Sequence, residues 1–249
     1  MAVSPHFDDA VLSVGGLLGT LAGRSLVVTV HGGPPPDGPP SRWDRLCGFG
    51  SGAAAAAARG EEDRAACGVI GADFAHLPLP DGAYGAPASA GALTDVLEAH
   101  VTEETLVLVP AGVARHPDHH RTRDVSLAAL EALGAGQVWL YADQPYAGWS
   151  GHWAGPGAEE LADEVWRDRL APVTESFGLP EARTLRLTDQ MWRVKHHAAL
   201  AYASQLGPLA SRAGHFLAFD GPLRTELVWR VGLRPESSNP GTAERMSGK

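Results

Sequence analysis

The sequence predicts one α/β domain with a mainly parallel sheet and helices on both faces. Short apolar runs alternate with longer stretches of helical character, the pattern that βαβ units produce. The run Ser25–His31 is continuously β-branched and apolar rather than alternating, which is typical of a strand covered on both faces. A chain of 249 residues is long enough to enclose a full core. We expect the domain to span residues 1–233, and the polar segment 234–249 to be a disordered tail.

The apolar runs give seven strands and six helices in order. The expected strands are Ala2–Val3, Ser25–His31, Phe74–Leu79, Thr105–Pro110, Gln137–Tyr141, Arg183–Leu187 and Thr225–Val231. The expected helices are Ala10–Ala22, Ser51–Ile70, Gly91–Glu103, Arg121–Leu133, Glu159–Leu170 and Asp189–Gln205. Gly71 is a suitable C-cap for the second helix. The Pro- and Gly-rich stretch 32–40 is expected to be an irregular loop and a pocket wall.

Composition excludes several classes of function. The net charge of −9 without a basic cluster argues against nucleic acid and anionic membranes as partners. No apolar run reaches the ~18 residues of a membrane span, and no signal peptide precedes the first strand. Cys47 and Cys67 form no CxxC pair and suit a reducing cytoplasm. Neither a phosphate-binding glycine motif nor a serine-hydrolase Gly-x-Ser-x-Gly motif is present.

Two clusters of histidine and aspartate each follow an expected strand. His6, Asp8 and Asp9 come directly after the first strand, and residues 116–120 (His-Pro-Asp-His-His) come after the strand Thr105–Pro110. Sites in parallel sheets form beyond the carboxyl ends of strands, so we expect the two clusters to meet. Imidazole and carboxylate groups are good zinc ligands. The sequence therefore predicts a metal site at this edge of the sheet.

A catalytic zinc ion needs three protein ligands and one open position. We expect His6, Asp9 and His119 to be the ligands, with one Zn²⁺ per chain; Fe²⁺ accepts the same ligand types and stays open. The metal lowers the pKa of a bound water, and Asp8 has the position and chemistry of the general base.

The remaining members of the second cluster suit supporting roles. His116, as an imidazolium, could stabilise an oxyanion or protonate a leaving amine, and Asp118 could hold His116 in place. Each residue also has a structural interpretation when taken alone. His6 could simply be packed, and Asp8 and Asp9 could be charges that favour a helix N-terminus. The pairing of two clusters favours the metal site.

The motifs resemble those of the PIG-L/LmbE-like N-acetylglucosaminyl deacetylase family. The segment Ser4–Gly16 is similar to the family's first motif, and His-Pro-Asp-His at 116–119 matches its second. Arg59–Glu62 and Leu77–Gly82 are similar to further elements of the family. The resemblance extends over about residues 2 to 232.

The resemblance implies a Rossmann-like sheet and a zinc-dependent reaction that releases acetate from an N-acetylated sugar. It places His6, Asp9 and His119 at ligand positions, Asp8 at the general-base position and His116 at the position that assists the oxyanion or leaving group. Arg59 and Asp81 fall near substrate-contacting positions. Among loop aromatics, we expect Tyr146 and Trp149 to contact substrate, although loop indoles could equally form a homo-oligomer contact.

Three departures from the family pattern leave alternatives open. Phe7 replaces a common proline, Ala10 replaces a common acidic residue, and Ala114 stands where some members have a tyrosine that polarises the carbonyl. Arg115, next to Ala114, could partly compensate. The small-molecule substrate could therefore be an N-acetylated sugar or a non-sugar or thiol-conjugate amide, and a non-catalytic sugar- or partner-binding protein is the third interpretation.

Overall fold

The computed structural model describes residues 1–85, 90–150, 153, 161, 164–179, 181–213 and 215–233. The expected tail 234–249 and the start of the helix expected from Glu159 lie outside the described residues. Within the described ranges, no helix combines the length and apolarity needed to span a membrane.

Every predicted strand is present, and the helices alternate with the strands as expected. The strands are β1 (Ala2–Ser4), β2 (Leu26–Thr29), β3 (Asp73–His76), β4 (Leu106–Pro110), β5 (Gln137–Tyr141), β6 (Glu181–Arg186) and β7 (Thr225–Val231). The helices are α1 (Asp9–Gly19), α2 (Arg42–Leu46), α3 (Gly52–Ile70), α4 (Ala90–His100), α5 (Pro117–Ala132), α6 (Glu164–Phe177), α7 (Asp189–Leu200) and α8 (Ala203–Ala213).

The strands form one seven-stranded sheet in the order β3-β2-β1-β4-β5-β7-β6. Strands β1 to β5 pair in parallel, with Val3 opposite Val28 and Leu108 opposite Trp139. The predicted mainly parallel α/β fold is confirmed. The last two strands add an antiparallel edge, because β7 pairs antiparallel with both β5 and β6. The chain reverses its direction of growth between β1 and β4, which places a crevice at their carboxyl ends.

Helices cover both faces of the sheet and bury a core on each. One core unites Leu97 of α4, Leu130 of α5 and Leu170 of α6 with the strands. The other unites α1, α3 and α7, with Val11 and Ile70 among its fully buried side chains. The two cores hold the strand ends rigidly at the crevice.

The predicted helix Asp189–Gln205 is two helices, α7 and α8. The break falls at Tyr202, which is buried and whose hydroxyl donates to Asp63 Oδ1 at 2.7 Å. Satisfying that buried carboxylate requires the tyrosine to turn inward, and this fixes the end of α7. The short helix α2 begins at Ser41, where Ser41 and Asp44 form a capping box.

A buried ion pair supports an irregular point in α1, the helix that begins at the predicted site. Val14 has φ −131°, outside the helical range. Glu226 accepts hydrogen bonds from the amides of Gly16 (2.8 Å) and Leu17 (2.9 Å), which the break leaves without helical partners. Lys195 Nζ donates to Glu226 Oε1 at 2.8 Å and to Ser13 O at 3.2 Å. The ion pair therefore replaces the missing turn of hydrogen bonds.

Candidate metal centre

The three predicted metal ligands meet at the crevice between β1 and β4. His6 follows β1, Asp9 is the first residue of α1, and His119 lies in the first turn of α5. One ligand atom from each lies within 4.8 Å of the other two. Residues 110 apart in sequence are thus brought together because both strand ends open on the same edge of the sheet.

The distances between the ligand atoms of the cluster suit a metal ion with tetrahedral coordination. His6 Nδ1 lies 3.2 Å and His119 Nε2 lies 3.3 Å from Asp9 Oδ2. Ligand atoms around a zinc ion with bonds of 2.0–2.2 Å are about 3.3–3.6 Å apart. His119 is fully buried, and the contact of its Nε2 with Asp9 Oδ2 does not have the geometry of a hydrogen bond. A buried nitrogen without a partner costs free energy unless a cation or proton meets it, so the cluster fits a divalent metal.

The charges of the cluster also favour a cation. Burial disfavours protonation of His119, yet the charge of Asp9 and the hydrogen bond to Asp143 raise its pKa to about 9. Burial likewise opposes protonation of His6, but hydrogen bonds to Asp118 and Asp9 hold its pKa well above the usual value. The carboxylates therefore hold two positive charges in place on the imidazoles. A divalent ion would supply the same charge at one point.

Each of the two histidines has a carboxylate on its other ring nitrogen. His119 Nδ1 lies 2.6 Å from Asp143 Oδ1, and Asp143 Oδ2 accepts the amide of Val113 at 2.9 Å. Such pairs fix the orientation of a ligating ring and raise its basicity. Sequence analysis missed Asp143. The available signal was its position two residues after β5, at the same edge of the sheet.

Asp118 occupies the equivalent position for His6 and also contacts His116. Its Oδ2 lies 3.2 Å from His6 Nε2 and 3.6 Å from His116 Nδ1. Gly82 N donates to the same oxygen at 3.0 Å. The predicted role of Asp118, to hold His116 in place, stays a prediction, and the shorter contact of its side chain is with His6. Burial opposes ionisation of Asp118, yet the hydrogen bond from His6 lowers its pKa well below the usual value.

Asp8 and His116 lie on the wall of a cavity of about 710 Å³ that opens over the cluster. Burial, followed by the charge of Asp9, raises the pKa of Asp8 to about 7. That value suits a general base near neutral pH. Burial, followed by the charge of His6, lowers the pKa of His116 to about 4. This lowered pKa favours the neutral imidazole, and the role of His116 as an imidazolium stays a prediction.

All four predicted substrate contacts line the same cavity: Arg59, Asp81, Tyr146 and Trp149. Arg59 is held by Asp44 of α2 at 2.8 Å. Asp81 Oδ1 accepts the amide of Ala83 at 2.8 Å. Tyr146 and Trp149 pack edge to face at 5.3 Å, and Trp149 is 45% exposed. The cavity thus has charged groups on one side and aromatic rings on another.

Comparison with known proteins identifies the family. The sequence family described as PIG-L, GlcNAc-PI de-N-acetylase, matches residues 1–130. The chain belongs to the PIG-L family. No curated protein matches the sequence significantly.

Solved structures of PIG-L-like deacetylases share the fold over nearly the whole chain. The A40926 pseudoaglycone deacetylase Dbv21 is 29% identical with a TM-score of 0.68, covering 94% of this chain and 98% of its own. The zinc-inhibited form of teicoplanin deacetylase Orf2 is 26% identical with a TM-score of 0.70, covering 95% and 98%. N,N'-diacetylchitobiose deacetylase from Pyrococcus horikoshii, at 18% identity and a TM-score of 0.57, covers 97% and 86% and shares the fold.

Two departures from the PIG-L pattern lie at the cavity. Ala114 is buried on its wall, where a tyrosine would extend into the space, and Arg115 beside it lines the cavity and is exposed. Phe7 also lines the cavity and packs edge to face on His76 at 5.0 Å. These residues alter the shape and charge of the wall and leave the metal cluster intact.

His31 is a further site residue that the sequence analysis set aside. Its ring stacks on His6 at 5.4 Å, and its side chain is fully buried. Nδ1 lies 2.7 Å from the carbonyl of Pro80, whereas Nε2 has no hydrogen-bond partner. Its position at the end of an apolar strand run is compatible with the pocket wall, but a histidine at a strand end is more often explained by polar packing.

Proposed function

We propose that this chain is a metal-dependent N-deacetylase, which hydrolyses the acetamide of an N-acetylglucosamine-type sugar or glycosylated intermediate. One observation carries the proposal. His6, Asp9 and His119 converge within 4.8 Å beneath a cavity whose wall presents Asp8 and His116. Membership in the PIG-L family and the likeness to two glycopeptide deacetylases support the same reaction.

We assign the metal to His6, Asp9 and His119, and zinc is the ion that two imidazoles and a carboxylate favour. When bound, the metal supplies a Lewis acid that polarises the acetyl carbonyl and acidifies water. Because teicoplanin deacetylase was solved in a zinc-inhibited form, reconstitution of this chain should start below one equivalent. Metal analysis of protein purified from cells would decide between zinc and iron.

Asp8 is proposed to move the proton. With a pKa of about 7, it can accept a proton from the attacking water and give it to the nitrogen as the C–N bond breaks. The products are acetate and the free amine. His116 is proposed to stabilise the developing oxyanion. The amide of Asp118 donates to His116 Nδ1 at 3.3 Å, so the proton of the neutral ring lies on Nε2, where it can donate to the carbonyl oxygen.

The cavity supports a sugar attached to a larger group. Arg59 and Asp81 offer polar contacts, whereas Tyr146 and Trp149 offer aromatic faces on which a sugar or aglycone could stack. A volume of about 710 Å³ exceeds what a single acetamido sugar fills. A glycosylated intermediate of specialised metabolism fits this description. Both cysteines are free thiols, which suits the reducing cytoplasm, and we propose that the enzyme acts there.

The test is acetate release from a panel of N-acetylglucosamine, its aryl glycosides and N-acetyl amino acids. We expect turnover of the glycosides to exceed that of the free sugar. Asp8→Asn should bind metal normally and lose at least about 100-fold in kcat, the contribution expected of a general base. Asp37→Asn, the same change on an exposed loop, should behave as wild type. Full activity of Asp8→Asn, or hydrolysis of the amino acids alone, would contradict the proposal.

A further inference from the structure

A second set of ligand atoms lies beside the first. His6, Asp81, His116 and Asp118 each present a ligand atom within 4.8 Å of the others. From His6 Nε2 the distances are 3.2 Å to Asp118 Oδ2 and 3.9 Å to Asp81 Oδ2, and His116 Nδ1 lies 3.6 Å from Asp118 Oδ2. These spacings resemble the edges of a tetrahedral site. The second set faces the Nε2 side of His6, whereas the first set uses Nδ1.

His31 gives an independent indication of a cation in this second set. Its Nδ1 lies 2.7 Å from a carbonyl oxygen, which can only accept, so Nδ1 carries the proton. Nε2 then holds a bare lone pair. That nitrogen is buried, has no hydrogen-bond partner and lies 3.8 Å from Asp118 Oδ1. A lone pair facing a carboxylate across this distance is satisfied by a cation between or beside them.

The other groups of the second set also have free lone pairs. Asp81 binds the Ala83 amide through Oδ1, which leaves Oδ2 facing the cluster. His116 Nδ1 has only a long contact of 3.3 Å from the Asp118 amide. Arg121 is a cationic side chain beside this set, and its Nη1 lies 3.7 Å from Asp118 Oδ1. Its side chain is 47% exposed and can turn into solvent.

We propose a second divalent-cation site formed by Asp81, His116 and Asp118, with His31 Nε2 directed at it. It would bind Zn²⁺ and similar divalent ions more weakly than the first site does, because the two ions lie on either side of His6 and repel each other. This part of the inference rests on the proposed function: an ion in the second site would inhibit the enzyme. An ion there would engage His116 and Asp81, the groups assigned to the oxyanion and the substrate.

The experiment titrates Zn²⁺ into the one-zinc protein and follows binding by calorimetry and by equilibrium dialysis with metal analysis. The wild type should take up a second ion at higher concentration than the first. Asp81→Asn keeps the contact with Ala83 but loses the charged ligand, so it should weaken the second event at least about tenfold and leave the first unchanged. His116→Gln should do the same. Asp37→Asn, an exposed change of identical chemistry, should keep both events.

Two results would overturn the second site: saturation of the wild type at one ion, or a second event that both variants retain at full strength. In a parallel activity series, inhibition of acetate release should follow the occupancy of the second ion. If no N-acetyl substrate is hydrolysed, the proposed function fails, while the binding stoichiometry still decides whether the site exists. The two failures are therefore distinguishable.

Discussion

At the scale of single residues, the centre depends on carboxylates that hold histidines in position. Asp143 does this for His119 and Asp118 does it for His6, each through the ring nitrogen opposite the metal face. The ligands are therefore set before any ion binds. The same arrangement explains why burial does not neutralise the two rings: each lies between two carboxylates, which offset the cost of burying its charge.

Asp143→Asn should lower metal affinity by about 10- to 100-fold, the range for loss of an orienting carboxylate. The amide keeps the size of the side chain and can still accept from Val113, so the change is mainly one of charge and of proton position on His119. Competition with a chromophoric chelator measures the affinity. Asp73→Asn, an exposed carboxylate on β3, is the matched control. Equal metal affinity in the two variants would show that Asp143 does not support the metal centre.

The sequence indicates the proposed ligands but not the residues that orient them. His6, Asp9 and His119 belong to clusters, and each cluster follows an apolar run, so strand ends alone imply their convergence. Asp143 lies in the segment Tyr141–Tyr146, which resembles a later element of the family, and His31 ends an apolar strand run, but neither belongs to a cluster of ligand types. Their roles depend on the three-dimensional neighbourhood of two rings. The lowered pKa of His116 has the same origin, because it follows from burial and from the charge of His6.

At the scale of elements, the positions of the seven strands follow from the short runs between helical stretches, whereas the helix breaks also depend on distant side chains. Tyr202 ends α7 because a buried aspartate lies within reach of its hydroxyl. The break at Val14 in α1 depends on Glu226, which is more than 200 residues away in the chain. Gly15 and Gly16 lower the helix propensity directly after Val14, but propensity does not identify the distant carboxylate that accepts the freed amides.

Breaking the buried ion pair Lys195–Glu226, which supports α1, is expected to reduce the stability of the protein strongly. Both side chains are at most 1% exposed, and their charged atoms lie 2.8 Å apart. Lys195→Met leaves a buried carboxylate without its cation and should lower the free energy of unfolding by about 3–5 kcal/mol. Urea denaturation followed by circular dichroism measures it. The double variant Lys195→Met/Glu226→Gln, which removes both charges, should recover part of that loss. A loss below about 1 kcal/mol in the single variant would show that the pair does not support the helix.

At the scale of the whole molecule, the site draws on both halves of the chain. The family match covers residues 1–130 and includes every predicted ligand. Asp143, Tyr146 and Trp149 lie beyond it, and they complete the His119 pair and the aromatic wall. The two cores also share one sheet, so neither face of the sheet can lose its helices without exposing the apolar residues of the strands.

Because both cores share the sheet, we expect chemical labelling of Cys67 to report unfolding of the entire domain. Its thiol is buried in the core formed by α1, α3 and α7, and burial raises its pKa well above the usual value. The folded protein should react with a thiol reagent at the half-buried Cys47 alone. In a urea series, labelling of Cys67 should share its midpoint with the tryptophan fluorescence change, to which Trp166 and Trp229 of the opposite core contribute among the seven tryptophans. Cys47→Ser isolates the Cys67 signal. Labelling of Cys67 well before the fluorescence midpoint would mean that one face opens alone, because the thiolate forms only once its surroundings are lost.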